Sequence, residues 1–260
     1  MSRLAETRVS DDSPPRKRRA RLLWVVPGVI VLLLVGLVVA DAITRSRVEA
    51  RIAHSVTQSL PADAHANPDV TLGGFSVLQQ LLRGRLDEIK LTASHVTYRG
   101  IPFTVSVTAT DVPTDESRPI PVATARITMS DTALNSLLSA AGFNGTVALE
   151  HAGIGYSGTV TILGVPLTYT ATATPQAEGT RILLHPDAGS LSSSLGSLSL
   201  EPLVRALTQQ GTIAVCAASY LPKGVTVSDI HVTNGRITLT LRASHVLLDD
   251  EWWNTHGSCS

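Results

Sequence analysis

Ser157, held between Gly155 and Gly158, and His151, beside Glu150, are the residues whose types suit a nucleophile and its base. A nucleophile elbow needs Gly-x-Ser-x-Gly, so that a sharp strand-to-helix turn exposes the hydroxyl, and Gly155-Tyr156-Ser157-Gly158 is one residue short of it. We read that segment as a turn between strands. His151 has no second histidine four positions away, the spacing at which a helix presents two imidazoles to zinc. The chain's 8 histidines are scattered, and Cys216 and Cys259 have no histidine pair beside them, so no metal-ligand set is expected. Gly73-Gly74 and Gly84-Arg85 lack phosphate-loop spacing and read as a turn and a helix stop. No catalytic residue, metal or cofactor is expected.

The two cysteines fit a disulfide instead. Closing a loop of about 44 residues stabilises a fold by roughly 4 kcal/mol in the chain-entropy treatment. A bridge needs an oxidising compartment, and the N-terminal sequence points to one. Leu22 to Ala40 carries no charge, and at ~1.5 Å per helical residue it reaches about 28 Å, close to the ~30 Å hydrocarbon core of a bilayer. Arg16, Lys17, Arg18, Arg19 and Arg21 stand directly before it. Basic flanks stay on the cytoplasmic side, so we expect a single pass in the inner (cytoplasmic) membrane, the N-terminus inside and the main domain extracytoplasmic. Ala40-Asp41-Ala42 also fits a signal-peptidase site, although the apolar stretch is longer than the ~7–15 residues of a signal core. The 21 basic and 21 acidic residues balance. With the basic tail set apart no nucleic-acid footprint remains, and about 220 residues are left, enough for one large domain.

Several elements follow from periodicity. Val48, Ile52, Val56 and Leu60 recur every four residues on a segment from about Thr44 to Pro61, which predicts an amphipathic helix. Asp69 to Leu72 reads as a strand, Gly73-Gly74 as a break, and Phe75, Leu78, Leu81 and Leu82 as the apolar face of a short helix. Alternation of period two marks strands at Thr104–Thr110, Val165–Thr174 and Arg236–Leu241, and Asn234-Gly235 predicts a two-residue hairpin turn in which both residues tolerate positive φ. Ser130 caps a helix lined by Leu134, Leu137, Leu138 and Ala141 and stopped at Gly142. A further helix is expected from about Leu200 to Gln210, with Pro202 in its first turn. Gly189–Ser199, with leucines at 191, 195 and 198, is either a mobile flap or a short helix. The Trp252-Trp253 pair near Cys259 either packs on the domain or sits at a membrane interface.

The stretch DVTLGGFSVLQQLLRGRLDEIKLTASHV, Asp69 to Val96, resembles the signature of the LmeA-type phospholipid-binding proteins of the actinobacterial envelope. The stretch LPKGVTVSDIHVTNGRITLTL, Leu221 to Leu241, resembles the same family's C-terminal proline-glycine turn and hairpin. Where that family usually has Pro and Phe after Gly-Gly-Phe, this chain has Ser76 and Val77, a departure that bears on ligand identity. The resemblance implies an α+β fold similar to tubular lipid-binding proteins: a single transmembrane helix, then a curved antiparallel sheet wrapped around a long helix, with acyl chains in an apolar groove and no catalysis. Alternation then picks out Leu78, Leu81, Leu82, Val105, Val107, Val160, Ile162, Leu167 and Tyr169 as lining. Arg83, Arg85 and Lys90 are the candidates for a headgroup phosphate, which guanidinium forks grip bidentately, although a solvated charged face is the simpler reading. The expected division is a disordered basic cytoplasmic tail (1–21), an anchor (22–42), a lipid-binding domain (43–248) and a C-terminal tail (249–260). The expected partners are phospholipid and membrane, the expected state a monomer, and the alternative role a module that recruits envelope-biosynthesis proteins.

Overall fold

The structure is a computed structural model that describes residues 16–58, 60, 62–115, 117–140, 142–151, 153–162, 165–193, 196–199, 212–247, 252 and 255–259. The chain divides into two units, Met1–Thr44 and Arg45–Ser260. Helix α1 (Arg16–Gln58) contributes to both, so the apolar stretch and the amphipathic segment expected to start near Thr44 belong to one helix. Residues 29–40 are apolar and exposed throughout. A helix satisfies its own backbone groups, as a span in lipid must, and this one is consistent with a membrane anchor or a signal sequence.

The second unit continues with β1 (Ala64–His65), β2 (Asp69–Leu72), the short helix α2 (Val77–Leu82), β3 (Arg85–Tyr98), β4 (Ile101–Pro113), β5 (Ile120–Ser130) and helix α3 (Asp131–Ala140). Then come β6 (Thr146–Glu150), β7 (Gly153–Ile162), β8 (Val165–Glu178), β9 (Arg181–Ser193), β10 (Gly196–Ser199), β11 (Ile213–Cys216), β12 (Val225–Thr233) and β13 (Arg236–Val246). One sheet runs β1-β3-β4-β5-β13-β12 with β2 also on β3; the other runs β10-β9-β8-β7-β6 with β11 also on β9. All the pairings are antiparallel, which makes the fold α+β as the resemblance implied.

Local chemistry explains the joints. The β3–β4 hairpin turns on Arg99 and Gly100, both left-handed at φ 51° and 79°, as a two-residue turn matched to strand twist requires. At Asn234-Gly235 only Gly235 is left-handed, so the turn expected to use positive φ twice uses it once. That turn is held from outside, because Gly235 N–H donates to Leu149 O at 2.8 Å and Asp131 N–H donates to Gly235 O at 3.2 Å. Ser130 caps α3 as expected, its Oγ accepting from Ala133 N–H at 3.1 Å.

Pro121 lies inside β5, between β4 and β13, where it has no N–H to offer the ladder. By register the positions facing it are Asp111 and His245, and both are left-handed, at φ 53° and 55°. Each reverses the alternation of its strand, so that Ala109 and Val112, and likewise Ala243 and Val246, are all buried.

Three expectations are corrected. Gly189–Ser199 is neither flap nor helix: its described residues form the end of β9 and β10, with Ser190–Ser193 paired to β10 on one side and β8 on the other. The segment Gly155–Gly158 is the middle of β7, not a turn; a Cβ at Gly158 would strike the Tyr169 ring, so glycine there lets the ring lie across the strand. On α2 the buried side chains are Val77 and Gln80, while Phe75, Leu81 and Leu82 are exposed, because the helix presents its Val77–Gln80 edge to the sheet. The helix expected at 200–210, Ala141 and Trp253 fall outside the described residues. Trp252 packs against the core around Val227, its indole N–H donating to Lys223 O at 3.0 Å. Cys216 and Cys259 form a disulfide.

Candidate functional site

The inner face of the larger sheet is read off its register. Across β3, β4, β5, β13 and β12 run the rows Ala93, Val105, Ile127, Leu239, Ile230; Leu91, Val107, Ala125, Leu241, Val227; and Ile89, Ala109, Ala123, Ala243, Val225. The alternate residues are polar: Thr104, Thr128 and Thr238 form one such row, with the last two hydroxyls 3.0 Å apart. Alternation of period two therefore yields one aliphatic face, and such a face must be covered.

The coverage is uneven. The small side chains of the third row admit α1, whose Val48 and Ile52 pack with Leu72, Val77, Leu86, Ala109 and Val112. A second cluster gathers Val225, Val227, Leu241, Ala243 and Val246 with Trp252. A third joins Val147, Leu149 and Val232 to Leu134 and Leu138 of α3. Ile120 is shared by the first two and Ile230 by the last two, so the clusters form one continuous apolar band. Beside it, Leu91, Val105, Val107, Ile127 and Leu239 are only half-buried.

In the smaller sheet Leu167 pairs with Val160, Tyr169 with Gly158, and Ile162 with Val165. Leu167 and Tyr169 are half-buried; the side chains of Val160 and Ile162 lie outside the described residues. The ring of Tyr169 lies 5.9 Å from that of Tyr156. A hydrogen bond with the Tyr169 hydroxyl, then desolvation, holds the Tyr156 phenol above its usual range. The expected lining residues thus sit in three places: on α2, on β4, and on the β7–β8 hairpin.

Two concavities accompany the face. One of about 280 Å³ lies at the seam of β12 with β8, between Pro175, Ile230, Val232, His151 and His231. That is below the roughly 300–1,000 Å³ typical of small-ligand sites, so a two-chain lipid needs the open face as well. The other, of about 740 Å³, is lined by polar and small residues of α3 and Gly145-Thr146. Ser157 Oγ donates to Thr146 O at 3.5 Å, and among the described residues no group of His, Cys, Asp and Glu is placed to hold a metal ion.

The cationic candidates are not gathered at one point. Arg83 caps the C-terminus of α2 and is exposed; Arg85 starts β3 and pairs with Asp111 at 3.6 Å, both side chains more than half exposed. Lys90 lies on the polar face opposite Thr71 and Thr108, about 16 Å further along β3.

A polar clamp at Gly73-Gly74 escaped the sequence reading. Arg45 donates to Leu72 O and, at 3.0 Å, to Gly74 O, while Glu49 Oε1 accepts from Leu72 N–H at 2.9 Å. Gln80, only 2 % exposed, donates from Nε2 to Gly73 O at 2.9 Å and accepts from Asp87 N–H at 2.8 Å. Gly74 sits at φ 84° with Gln80 and Asp87 against the space a Cβ would take. The available signal was the i,i+4 pair Arg45 and Glu49 together with Gln79 and Gln80 on an otherwise apolar helix.

The fold is an amphipathic antiparallel one with a long aliphatic face built from Val, Leu, Ile and Ala in a chain only 4 % aromatic, a surface that suits apolar chains as it suits a packed core. The chain belongs to the LmeA-like phospholipid-binding family, which it matches over residues 39–242. That is a binding family, and the match takes in both sheets and the clamp. No curated protein and no solved structure matches the chain.

Proposed function

We propose that this is a single-pass, membrane-anchored phospholipid-binding protein of the cytoplasmic membrane. Its extracytoplasmic domain, acting as a monomer, carries or senses lipid for envelope maintenance or lipoglycan assembly. One observation carries the reading: Leu91, Val105, Val107, Ile127 and Leu239, from two adjacent aliphatic rows, are half-buried beside an otherwise continuous apolar core. An acyl chain laid along those rows completes their burial. At about 0.8 kcal/mol per methylene, a sixteen-carbon chain contributes roughly 10 kcal/mol before ordering costs.

The tubular arrangement, with the sheet curved around the end of α1, is supported by the packing of Val48 and Ile52 on the alanine row. Leu167 and Tyr169, with Val160 and Ile162 beside them, extend the lining toward the smaller sheet; Leu78 and Leu81 flank its other end. Arg83, Arg85 and Lys90 meet headgroup phosphate at separate points rather than as one grip. The basic run before the apolar stretch favours an N-terminus inside, and the disulfide suits an oxidising outer compartment.

The test is mass spectrometry of the compact unit Arg45–Ser260 purified without detergent, comparing native and denatured masses. A stoichiometric diacyl lipid is expected, with occupancy falling several-fold in Val107→Trp while the circular dichroism spectrum stays unchanged. A clean apo mass that persists after incubation with membrane lipids overturns the proposal and favours recruitment of envelope-biosynthesis proteins instead.

A further inference from the structure

We propose that the turn between β2 and β3 is a bilayer-docking tip, with Phe75 and Leu82 entering the headgroup region of the membrane and Arg83 meeting its phosphates. The inference rests on the reading that Leu22–Ala40 lies in a bilayer, and extends it to the domain outside.

Phe75 is 95 % exposed and Leu82 90 % exposed, the two most exposed large hydrophobic residues among those described. Single exposed apolar residues are ordinary on soluble surfaces, but these two are held out by a rigid mount. Arg45 and Glu49 grip Leu72 to Gly74, Gln80 ties Gly73 O to Asp87 N–H, and the Ser76 side chain accepts from Gln79 N–H at 3.2 Å to start α2. With Val77 and Gln80 directed into the core, Leu82 falls about 140° round the helix from Val77, on the side turned away. The mount thus orders two apolar side chains where none of the described residues covers them.

Chain connectivity supplies the occupant. Arg45, which holds Gly74, is five residues beyond Ala40, the end of the uncharged stretch, so even a fully extended link keeps it within about 18 Å of that end. The headgroup layers add roughly 5–8 Å on each side of the hydrocarbon. A tip tethered so closely meets the membrane surface at very high effective concentration. At the tip Arg83 follows Leu82 and is exposed, a cation for a lipid phosphate, while the Asp87 and Glu88 side chains lie against Gly74 and Gly73, so apolar insertion rather than net charge drives the contact.

The full chain is placed in nanodiscs of mixed phosphatidylcholine and phosphatidylglycerol, with a nitroxide at Phe75→Cys, Leu82→Cys or, as a control on α3's far side, Phe143→Cys. Positions 75 and 82 are expected to be several-fold less accessible to a water-soluble nickel chelate than position 143, and more accessible to oxygen. Without added thiols, the unlabelled chain is expected to cross-link a photoactivatable phospholipid within residues 74–85, and the double variant Phe75→Asp, Leu82→Asp to lose that adduct. Equal nickel access at all three positions, or adducts indifferent to the double variant, overturns docking while leaving the anchor standing. A chain that never enters the nanodisc removes both readings.

Discussion

At the scale of single residues, Gln80 shows how a polar side chain becomes structural. It occupies a largely apolar helix, is almost fully buried, and uses both ends of its amide on the backbone, at Gly73 O and Asp87 N–H. Gln80→Leu keeps the volume but strands Gly73 O and Asp87 N–H, so a loss of about 1–3 kcal/mol in urea unfolding is expected. A shift in midpoint below a few tenths of a kcal/mol is the result that would refute the clamp. Ser157 and His151 make the opposite point. Their types suit catalysis, yet Ser157 belongs to a strand and donates to a backbone carbonyl, and what surrounds it in register is Thr146 and Thr170.

At the scale of elements, helix α3 is joined to the smaller sheet by the packing of Leu134 and Leu138 and by the amide of Asn135. Asn135 donates from Nδ2 to Val147 O at 2.8 Å and accepts Val147 N–H at Oδ1 at 2.6 Å, completing the edge of β6 as a neighbouring strand would. Asn135→Ala is expected to cost about 1–3 kcal/mol and to raise amide exchange at Val147 selectively, a change readable by hydrogen-exchange mass spectrometry. Uniform acceleration over the whole unit would mean that α3 and β6 open only with global unfolding. The strands β4, β8 and β13 were legible because alternation with Thr and Ser is a local signal that tertiary contacts reinforce. The end of β9 and the strand β10 were not, since leucines at 191, 195 and 198 imitate a helical spacing, and only pairing on the flanks makes Ser190–Ser193 and Gly196–Ser199 extended.

At the scale of the whole molecule, the disulfide and the apolar band hold distant parts of the chain together. Cys216 and Cys259 are 43 positions apart, and the double variant Cys216→Ser, Cys259→Ser is expected to lose about 4 kcal/mol by chain entropy, read as a lower denaturant midpoint with bound lipid unchanged. The amino-acid order alone determined the uncharged N-terminal helix, the alternating strands, the Ser130 cap and the family, because each is written in neighbours a few positions apart, and the cysteine partners, because the chain has only two cysteines. It also placed Val105, Val107, Val160, Ile162, Leu167 and Tyr169 on strands. Tertiary structure alone decided which of them are covered. Val48 and Ile52 close the alanine row, Gly179 bridges Val227 to bring the sheets together, and Phe75 and Leu82 are left outside. The physical reason is that a hydrophobic face is a property of local periodicity, whereas its burial depends on which remote segment reaches it first and fits.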